Sequence, residues 1–364
     1  MSGDVPGATT TLGVPLAPDE RLLARLTARI VASGHYTNSG RTNAEFETAL
    51  AAVLGTPSAL TAASGTSALT LALLALELPR DAEVITTPLT FPATVQAIEA
   101  AGLRPVFAAV DPGTLTLDPA AVASAITART GAILGVHLFG VACDPALGDA
   151  AAGLPVVYDA AHAFGTGLLG RRIAARGTLT AYSLHATKLL HTGEGGAVVT
   201  GDARLAERVR RARNFSLDGG VPVGRGVNGK LPELSAALGL AVLPRLHEEE
   251  GARREHRTRY RALLEASGRV TEHAPGHPAA LLFQAARCDP ADQGALLDDF
   301  ARRGIAGRRF PALTDARSRY RDVRLIGTTA DELARLAASC LALPLHSSLP
   351  AGHFDAVAEV LRVA

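Results

Sequence analysis

Between residues 19 and 32 the apolar positions Leu22, Leu23, Leu26 and Ile30 share one side of a 3.6-residue period, which predicts an amphipathic helix. Turn formers at 35–40 end it, and a second helix is predicted over about 43–54, stopped by Gly55. The rhythm then becomes strand, loop, helix. Apolar runs at 58–61, 83–86, 104–108, 131–136 and 154–158 read as strands, with helices at 67–78, 91–101 and 119–128 between them. The strand runs are apolar on both faces, as they are when helices cover both sides of a sheet. Shorter β pieces are expected at 178–183 and 196–200, then a helix at 203–213. Residues 231–266 read as one or two long helices, increasingly charged after His247. A domain boundary is placed there, between a large domain over 1–245 and a small one over 246–364. The latter predicts an α+β unit with strands at 280–285, 305–309 and 341–343 and helices at 291–303, 330–338 and from His353. The fold class is α/β.

A chain of 364 residues is long enough for two such domains. Its 36 Lys+Arg and 35 Asp+Glu give a net charge of +1, which excludes nucleic acid as a bulk electrostatic partner. The basic cluster at 208–213 follows Glu207 at helical spacing and reads as a solvated helix face. Cys143, Cys288 and Cys340 are far apart and form no CxxC pair, so neither a disulfide framework nor a zinc site is expected, and no metal. Residues 1–10 read as a loose polar tail rather than a secretory segment, and the apolar run at 68–78 is too short to span a bilayer. These features predict a soluble cytoplasmic protein.

Four stretches carry candidate chemistry. Lys188 sits among small and hydroxyl residues in 183–196, followed by a Gly-rich turn. A desolvated lysine there has a lowered pKa and can attack a carbonyl; the alternative is a structural loop lysine. Ser64-Gly65-Thr66-Ser67 opens a helix, as a phosphate site does and as a plain N-cap also does. Asp159 follows an apolar strand and small residues follow it, which suits a recessed carboxylate at the ligand-binding edge of an α/β sheet, or a helix N-cap. Residues 165–170 match GxGxxG but lead into Arg171-Arg172 rather than an apolar helix, so a dinucleotide site is rejected. His137, His185 and His191 are too scattered to propose a metal site, and His137 reads equally well as a core histidine.

Together these stretches resemble the DegT/DnrJ/EryC1/StrS family of pyridoxal-phosphate sugar aminotransferases, of fold type I like aspartate aminotransferase. The resemblance rests on Ala63-Ser64-Gly65-Thr66-Ser67-Ala68-Leu69, Pro88-Leu89-Thr90-Phe91-Pro92-Ala93-Thr94, Val136-His137-Leu138-Phe139-Gly140, Asp159-Ala160-Ala161-His162-Ala163, Ser183-Leu184-His185-Ala186-Thr187-Lys188, Gly193-Glu194-Gly195-Gly196 and Gly226-Val227-Asn228-Gly229-Lys230, in the family's order over about 35–245. It implies pyridoxal 5'-phosphate as cofactor and Lys188 as its covalent anchor and proton carrier. Asp159 would pair with the pyridinium nitrogen, Gly65, Thr66 and Ser183 would hold the phosphate, Phe91 would lie by the ring and His162 beside the ring hydroxyl. Asn228 would reach the phosphate in the neighbouring subunit, which implies a homodimer with shared active sites. Relatives that dehydrate sugars have histidine in place of Lys188, so the resemblance implies a true aminotransferase.

Tyr36-Thr37-Asn38 and Asn228-Gly229-Lys230 resemble the branch that aminates a nucleotide-linked 4-keto-6-deoxyhexose, most simply a dTDP sugar, with L-glutamate as donor and 2-oxoglutarate as product. Amination of a 3-keto sugar or a keto-cyclitol, and a cofactor-binding sensor without turnover, are the competing readings. The chain departs from the family pattern at Arg41, often proline in that branch, and at 310–315, which lacks the usual Pro-Leu-His; His346 belongs to a later strand and is no replacement.

Overall fold

The computed structural model describes residues 10–168, 171–173 and 177–362. Two helices come first, α1 (Glu20–Ser33) and α2 (Arg41–Leu54). The Asp19 carboxylate caps α1 by accepting from the Leu22 N–H, and Gly34 ends it in the left-handed conformation that glycine adopts without strain. Then β1 (Ser58–Ala62), α3 (Gly65–Ala75), β2 (Glu83–Thr86), α4 (Pro92–Ala100), β3 (Arg104–Ala108), α5 (Pro119–Ala125), β4 (Thr130–Val136), α6 (Leu147–Ala150) and β5 (Val156–Asp159) follow. A two-residue ribbon, β6 (Gly167–Leu168) against β7 (Arg171–Arg172), precedes β8 (Leu179–Ser183), β9 (Gly196–Thr200) and α7 (Ala203–Ala212). A second ribbon, β10 (Leu217–Asp218) with β11 (Val221–Pro222), leads to α8 (Glu233–Val242) and α9 (Leu246–Ser267). The rest comprises β12 (Thr271–Glu272), β13 (Gln284–Arg287), α10 (Gln293–Arg302), β14 (Leu325–Ile326), α11 (Ala330–Ala338), β15 (Cys340–Leu343) and α12 (His353–Leu361).

Eight strands make one mixed sheet in the order β1-β9-β8-β5-β4-β2-β3-β14. All neighbours from β8 to β14 are parallel, while β9 runs antiparallel to both β8 and β1. Alternate residues face opposite cores, as the pleat requires. Val84, Leu134 and Val157 pack with Leu71 and Leu73 of α3 on one side. Ile85, Ile133 and Tyr158 pack with Leu117, Val122 and Leu147 on the other. Helix α3 is buried from Ala68 through Ala75, which explains why its sequence is apolar all round. Three register pairs set up the site: Ala62 opposite Gly196, Gly196 opposite Ser183, and Asp159 opposite Ala181. The ends of β1, β5 and β8 and the start of β9 therefore lie along one edge.

A second, antiparallel sheet, β12-β13-β15, has its own core with Tyr260 and Leu264 of α9, Leu296 and Phe300 of α10, and Val357 of α12. The chain then returns to the large sheet, because β14 pairs parallel with β3. That return is fixed by the Glu83 carboxylate, 5% exposed, which accepts from Arg324 at 2.8 Å and pairs with Arg129 at 2.7 Å.

Several sequence expectations are corrected. Residues 305–309 are not a strand: Ile305 and Arg308 make single bridges to Thr10 and Ala342. Thr10, read as tail, is buried by that bridge, while residues 1–9 lie outside the described residues. The expected strand at 280–285 starts only at Gln284; Ala280 to Phe283 are buried in a loop, where an apolar run gains the same burial without a ladder. Helix α5 stops at Ala125, where Ile126 turns extended. The rejected GxGxxG stretch contributes Gly167 to the β6–β7 ribbon, and its Leu169 and Gly170 lie outside the described residues.

Candidate active site

After Ser183 the chain closes a loop back to β9. The Leu184 N–H donates to the Gly195 carbonyl at 2.9 Å, Ala186 to Gly193 at 2.7 Å and Thr192 to Leu184 at 2.9 Å. These bonds hold Lys188 at the sheet edge, half-buried. Desolvation pushes its ammonium down from the usual lysine range to about 8; the Asp159 carboxylate opposes that fall and the Arg308 cation reinforces it. About a tenth of the amine is then unprotonated at pH 7, against well under a hundredth for an ordinary lysine. The loop thus presents a nucleophilic amine.

Asp159, the last residue of β5, is 5% exposed. Its Oδ2 accepts from the Thr94 hydroxyl at 2.7 Å and its Oδ1 from the Ala161 N–H at 3.0 Å. Thr90 Oγ1 lies 2.6 Å from Thr94 Oγ1, so when Thr94 donates to the carboxylate, Thr90 donates to Thr94. Burial raises the Asp159 carboxyl above the usual range, and Thr94, Ala161 and Lys188 pull it back. Phe91, the N-cap of α4, is 55% exposed beside these threonines. Thr94 was absent from the sequence-based candidates; it lies in the Pro88 to Thr94 motif, one helical turn beyond Thr90, but only the tertiary contact singles it out. Replacing Thr94 with Val deprives a buried carboxylate of a donor, a loss of about 1.5–3 kcal/mol. We expect kcat to fall tenfold or more, roughly as that energy converts, and Thr94→Ser to restore it.

Beside the lysine loop lies a cradle. Ser64 caps α3, its hydroxyl accepting from the Ser67 N–H at 3.0 Å. The first N–H groups of a helix have no intrahelical acceptor, so those of Gly65 and Thr66 are available to an anion. A Cβ on Gly65 would lie 2.8 Å from Ser183 Cβ and 3.1 Å from its Oγ, and one on Gly196 would lie 2.3 Å from the Ser64 carbonyl oxygen. Glycine at both positions lets the two backbones converge around a small concavity.

His162 meets the Phe283 ring edge-on at 5.4 Å and the Phe310 ring at 6.0 Å. Desolvation, with the Lys188 and Arg308 charges, holds its imidazole well below the usual range, so it is neutral at pH 7. Lys188, Asp159 and His162 thus share one electrostatic neighbourhood, with Gly65 against Ser183 next to it. Asn228 stands apart and is exposed; its neighbour Gly229 accepts from the Ala63 N–H at 2.8 Å, tethering that loop near the cradle. His137 is 3% exposed, stacks on Tyr158 at 4.7 Å and accepts from the Cys143 N–H, so it belongs to the core. Among the described residues no cluster of His, Cys, Asp or Glu could hold a metal ion.

A sequence signal also went unused: the chain contains only two lysines, Lys188 and Lys230. Arginine replaces lysine readily at solvated positions but cannot supply a neutral amine. Lys230 is held differently, 2.9 Å from Asn214 Oδ1 and over the Phe215 ring.

Comparison with known proteins shows the family. The model of the DegT/DnrJ/EryC1/StrS aminotransferase family matches residues 19–362. The dTDP-4-amino-4,6-dideoxy-D-glucose transaminase of Shigella dysenteriae is 32% identical over 340 residues, covering 90% of this chain and 91% of that protein. The erythromycin biosynthesis sensory transduction protein EryC1 of Saccharopolyspora erythraea is 35% identical, covering 92% and 93%. The match to the spore coat polysaccharide biosynthesis protein SpsC of Bacillus subtilis, 38% identical, spans 62% of this chain and 63% of that protein. Among solved structures, DesI in the presence of its TDP-sugar product superposes with a TM-score of 0.89 at 34% identity, covering 99% of this chain and 93% of that one.

Pyridoxal 5'-phosphate requires an amine for its aldehyde, a carboxylate for its ring nitrogen and a small-anion cradle. The poised amine of Lys188, the recessed carboxylate of Asp159 and the side-chain-free concavity at Gly65 fit that set. From residue 19 to residue 362 the chain belongs to the DegT/DnrJ/EryC1/StrS aminotransferase family, and it is a pyridoxal-phosphate-dependent aminotransferase.

Proposed function

We propose that the protein transfers an amino group from L-glutamate to the ketone of a nucleotide-linked 4-keto-6-deoxyhexose, giving a 4-amino sugar and 2-oxoglutarate. The observation that carries this reading is the Lys188 amine, poised near pH 8 beside a buried carboxylate. The sugar class is supported by the names of the Shigella transaminase and of GDP-perosamine synthase from Caulobacter vibrioides, 38% identical over 59% of this chain.

In this reading Lys188 holds the cofactor covalently between turnovers, and its released Nζ moves the proton at the amine-bearing carbon. Asp159 keeps the ring nitrogen protonated. Gly65, Thr66 and Ser183 hold the phosphate, Phe91 lies against the ring, and neutral His162 meets the ring hydroxyl. Bound there, pyridoxal phosphate supplies the electron sink. Asn228 serves the partner's site in a homodimer. That arrangement is supported by its exposure and by the apolar residues left bare nearby in sequence: Phe215, Leu217, Val221, Val223 and Leu234. The chain divides at about residue 245, with β14 returned to the large unit, and works in the cytoplasm; no helix among the described residues is long and apolar enough to cross a membrane.

Assays with 4-keto and 3-keto nucleotide sugars, each with L-glutamate, test the reading. Turnover of the 4-keto compound is expected; turnover of the 3-keto compound alone, or of a keto-cyclitol, would assign the competing chemistry. The names of EryC1 and of the pleiotropic regulatory protein of Geobacillus stearothermophilus favour a sensor without turnover. A sensor has no use for a lysine poised to carry protons, and a visible cofactor band that persists with glutamate would be its signature.

A further inference from the structure

Residues 10–18 run from the small unit to the lysine loop outside any helix or sheet, apart from a single bridge at Thr10. Pro15 and Pro18 remove two backbone donors and favour extended geometry at Val14 and Ala17. Such a segment is held by whatever donors reach its carbonyls from elsewhere. At one end Thr10 donates to the Gly304 carbonyl and accepts from the Ala306 N–H, both at 2.9 Å. Beside it the Thr11 carbonyl accepts from Nε2 of the buried His346 at 3.1 Å. At the other end the Leu16 carbonyl accepts from Nε2 of the buried His191 at 2.8 Å. Between these ends Gly13 passes Thr187 closely; a Cβ there would lie 3.3 Å from the Thr187 carbonyl oxygen. Leu16 also packs against the apolar cluster that holds Leu184, Leu189 and Leu190.

The backbone bonds of Leu184, Ala186 and Thr192 close the base of the lysine loop. Its tip carries Lys188 between Thr187 and His191, and segment 10–18 meets both. We propose that this segment braces the lysine loop from outside and that His191 is the positioning residue through which it sets Lys188. The two ring nitrogens have separable jobs. Nδ1 accepts from the Gly193 N–H at 3.4 Å, within the loop, which leaves the ring proton on Nε2 for Leu16. The inner bond is long and the outer one short, so the ring's firmer hold is on the segment. Such a hold matters because attack by an amine depends on geometry, and a misplacement of about 1 Å can cost about 10²-fold. The inference rests on Lys188 as the reacting lysine and is independent of donor and sugar.

The test mixes apo-protein with pyridoxal phosphate, samples into borohydride over time and counts label on the peptide containing Lys188. The unaltered chain is compared with His191→Asn and His191→Gln. Asparagine keeps an acceptor where Nδ1 stands but does not reach Leu16, whereas glutamine keeps a donor where Nε2 stands. Attachment at Lys188 is expected to slow at least about tenfold in His191→Asn and to recover most of its rate in His191→Gln. Hydrogen exchange of the apo-proteins should quicken in His191→Asn over 10–18 and 184–195, with β4 and β5 unchanged. If His191→Asn does not fold, Gly13→Val carries the same test, since its side chain pushes the segment off Thr187 without touching the ring. An unchanged rate in His191→Asn, or equal slowing in His191→Gln, would overturn the proposal. Label on Lys230 in place of Lys188 in the unaltered protein would instead remove the lysine assignment, and the inference with it.

Discussion

Lys188→Ala is expected to remove transamination almost completely while leaving the protein folded. Covalent attachment and proton transfer are both lost, and general acid–base catalysis alone contributes about 10²–10⁴-fold; kcat should therefore fall by at least about 10³-fold. The fold has little to lose. Lys188 makes no ion pair among the described residues, and its half-buried ammonium is desolvated at a cost, as its lowered pKa records. The loop that carries it is closed by the backbone bonds of Leu184 to Gly195 and Ala186 to Gly193, which an alanine leaves intact. Thermal unfolding of the apo-protein should be unchanged, and the cofactor should be retained only through its phosphate and ring contacts. Retained turnover would refute the assignment of the lysine.

The second large effect belongs to Asp159→Asn. Asparagine keeps the size and its Oδ1 can still accept from the Ala161 N–H, with the Thr94 hydroxyl turned to accept from the amide NH2, but it carries no charge to hold a ring nitrogen protonated. Breaking a buried charge pair costs about 3–5 kcal/mol, so kcat should fall on the order of 10³-fold. Stability should move the other way. Burial raises the folded-state pKa of Asp159, so the folded chain binds this proton more tightly than the unfolded one. Ionising the group as pH rises through that value costs stability, and at neutral pH the cost is present in the apo-protein. The apo-variant should then melt at the same temperature as the parent or higher, while being nearly inactive. A Tm fall with proportionate activity loss would mean that Asp159 is structural.

Much of the fold was legible because its period is. The helical spacing of Leu22 to Ile30 and the two-sided apolar runs of β2, β4 and β5 leave little choice of element. Where burial came without periodicity, reading failed. Residues 280–283 are as buried as a strand and are not one, whereas β14 is two residues, Leu325–Ile326, positioned by Arg324 on Glu83 from across the chain. The candidate site divides the same way. Lys188, Asp159 and the Ser64-Gly65-Thr66 turn announce themselves because each combines an unusual residue with its local setting. Thr94 is an ordinary residue in sequence; its hydrogen bond to Asp159, far away along the chain, makes it noteworthy. The scarcity of lysine was visible from the start and points to Lys188 without any structure.

That scarcity also makes the central claim easy to test. Borohydride reduction of the holoenzyme fixes the cofactor to whichever lysine holds it, and peptide mass mapping then has two candidates, Lys188 and Lys230. The phosphopyridoxyl group is expected on the peptide containing Lys188 and on no other; its recovery on Lys230, or on neither, would contradict the account.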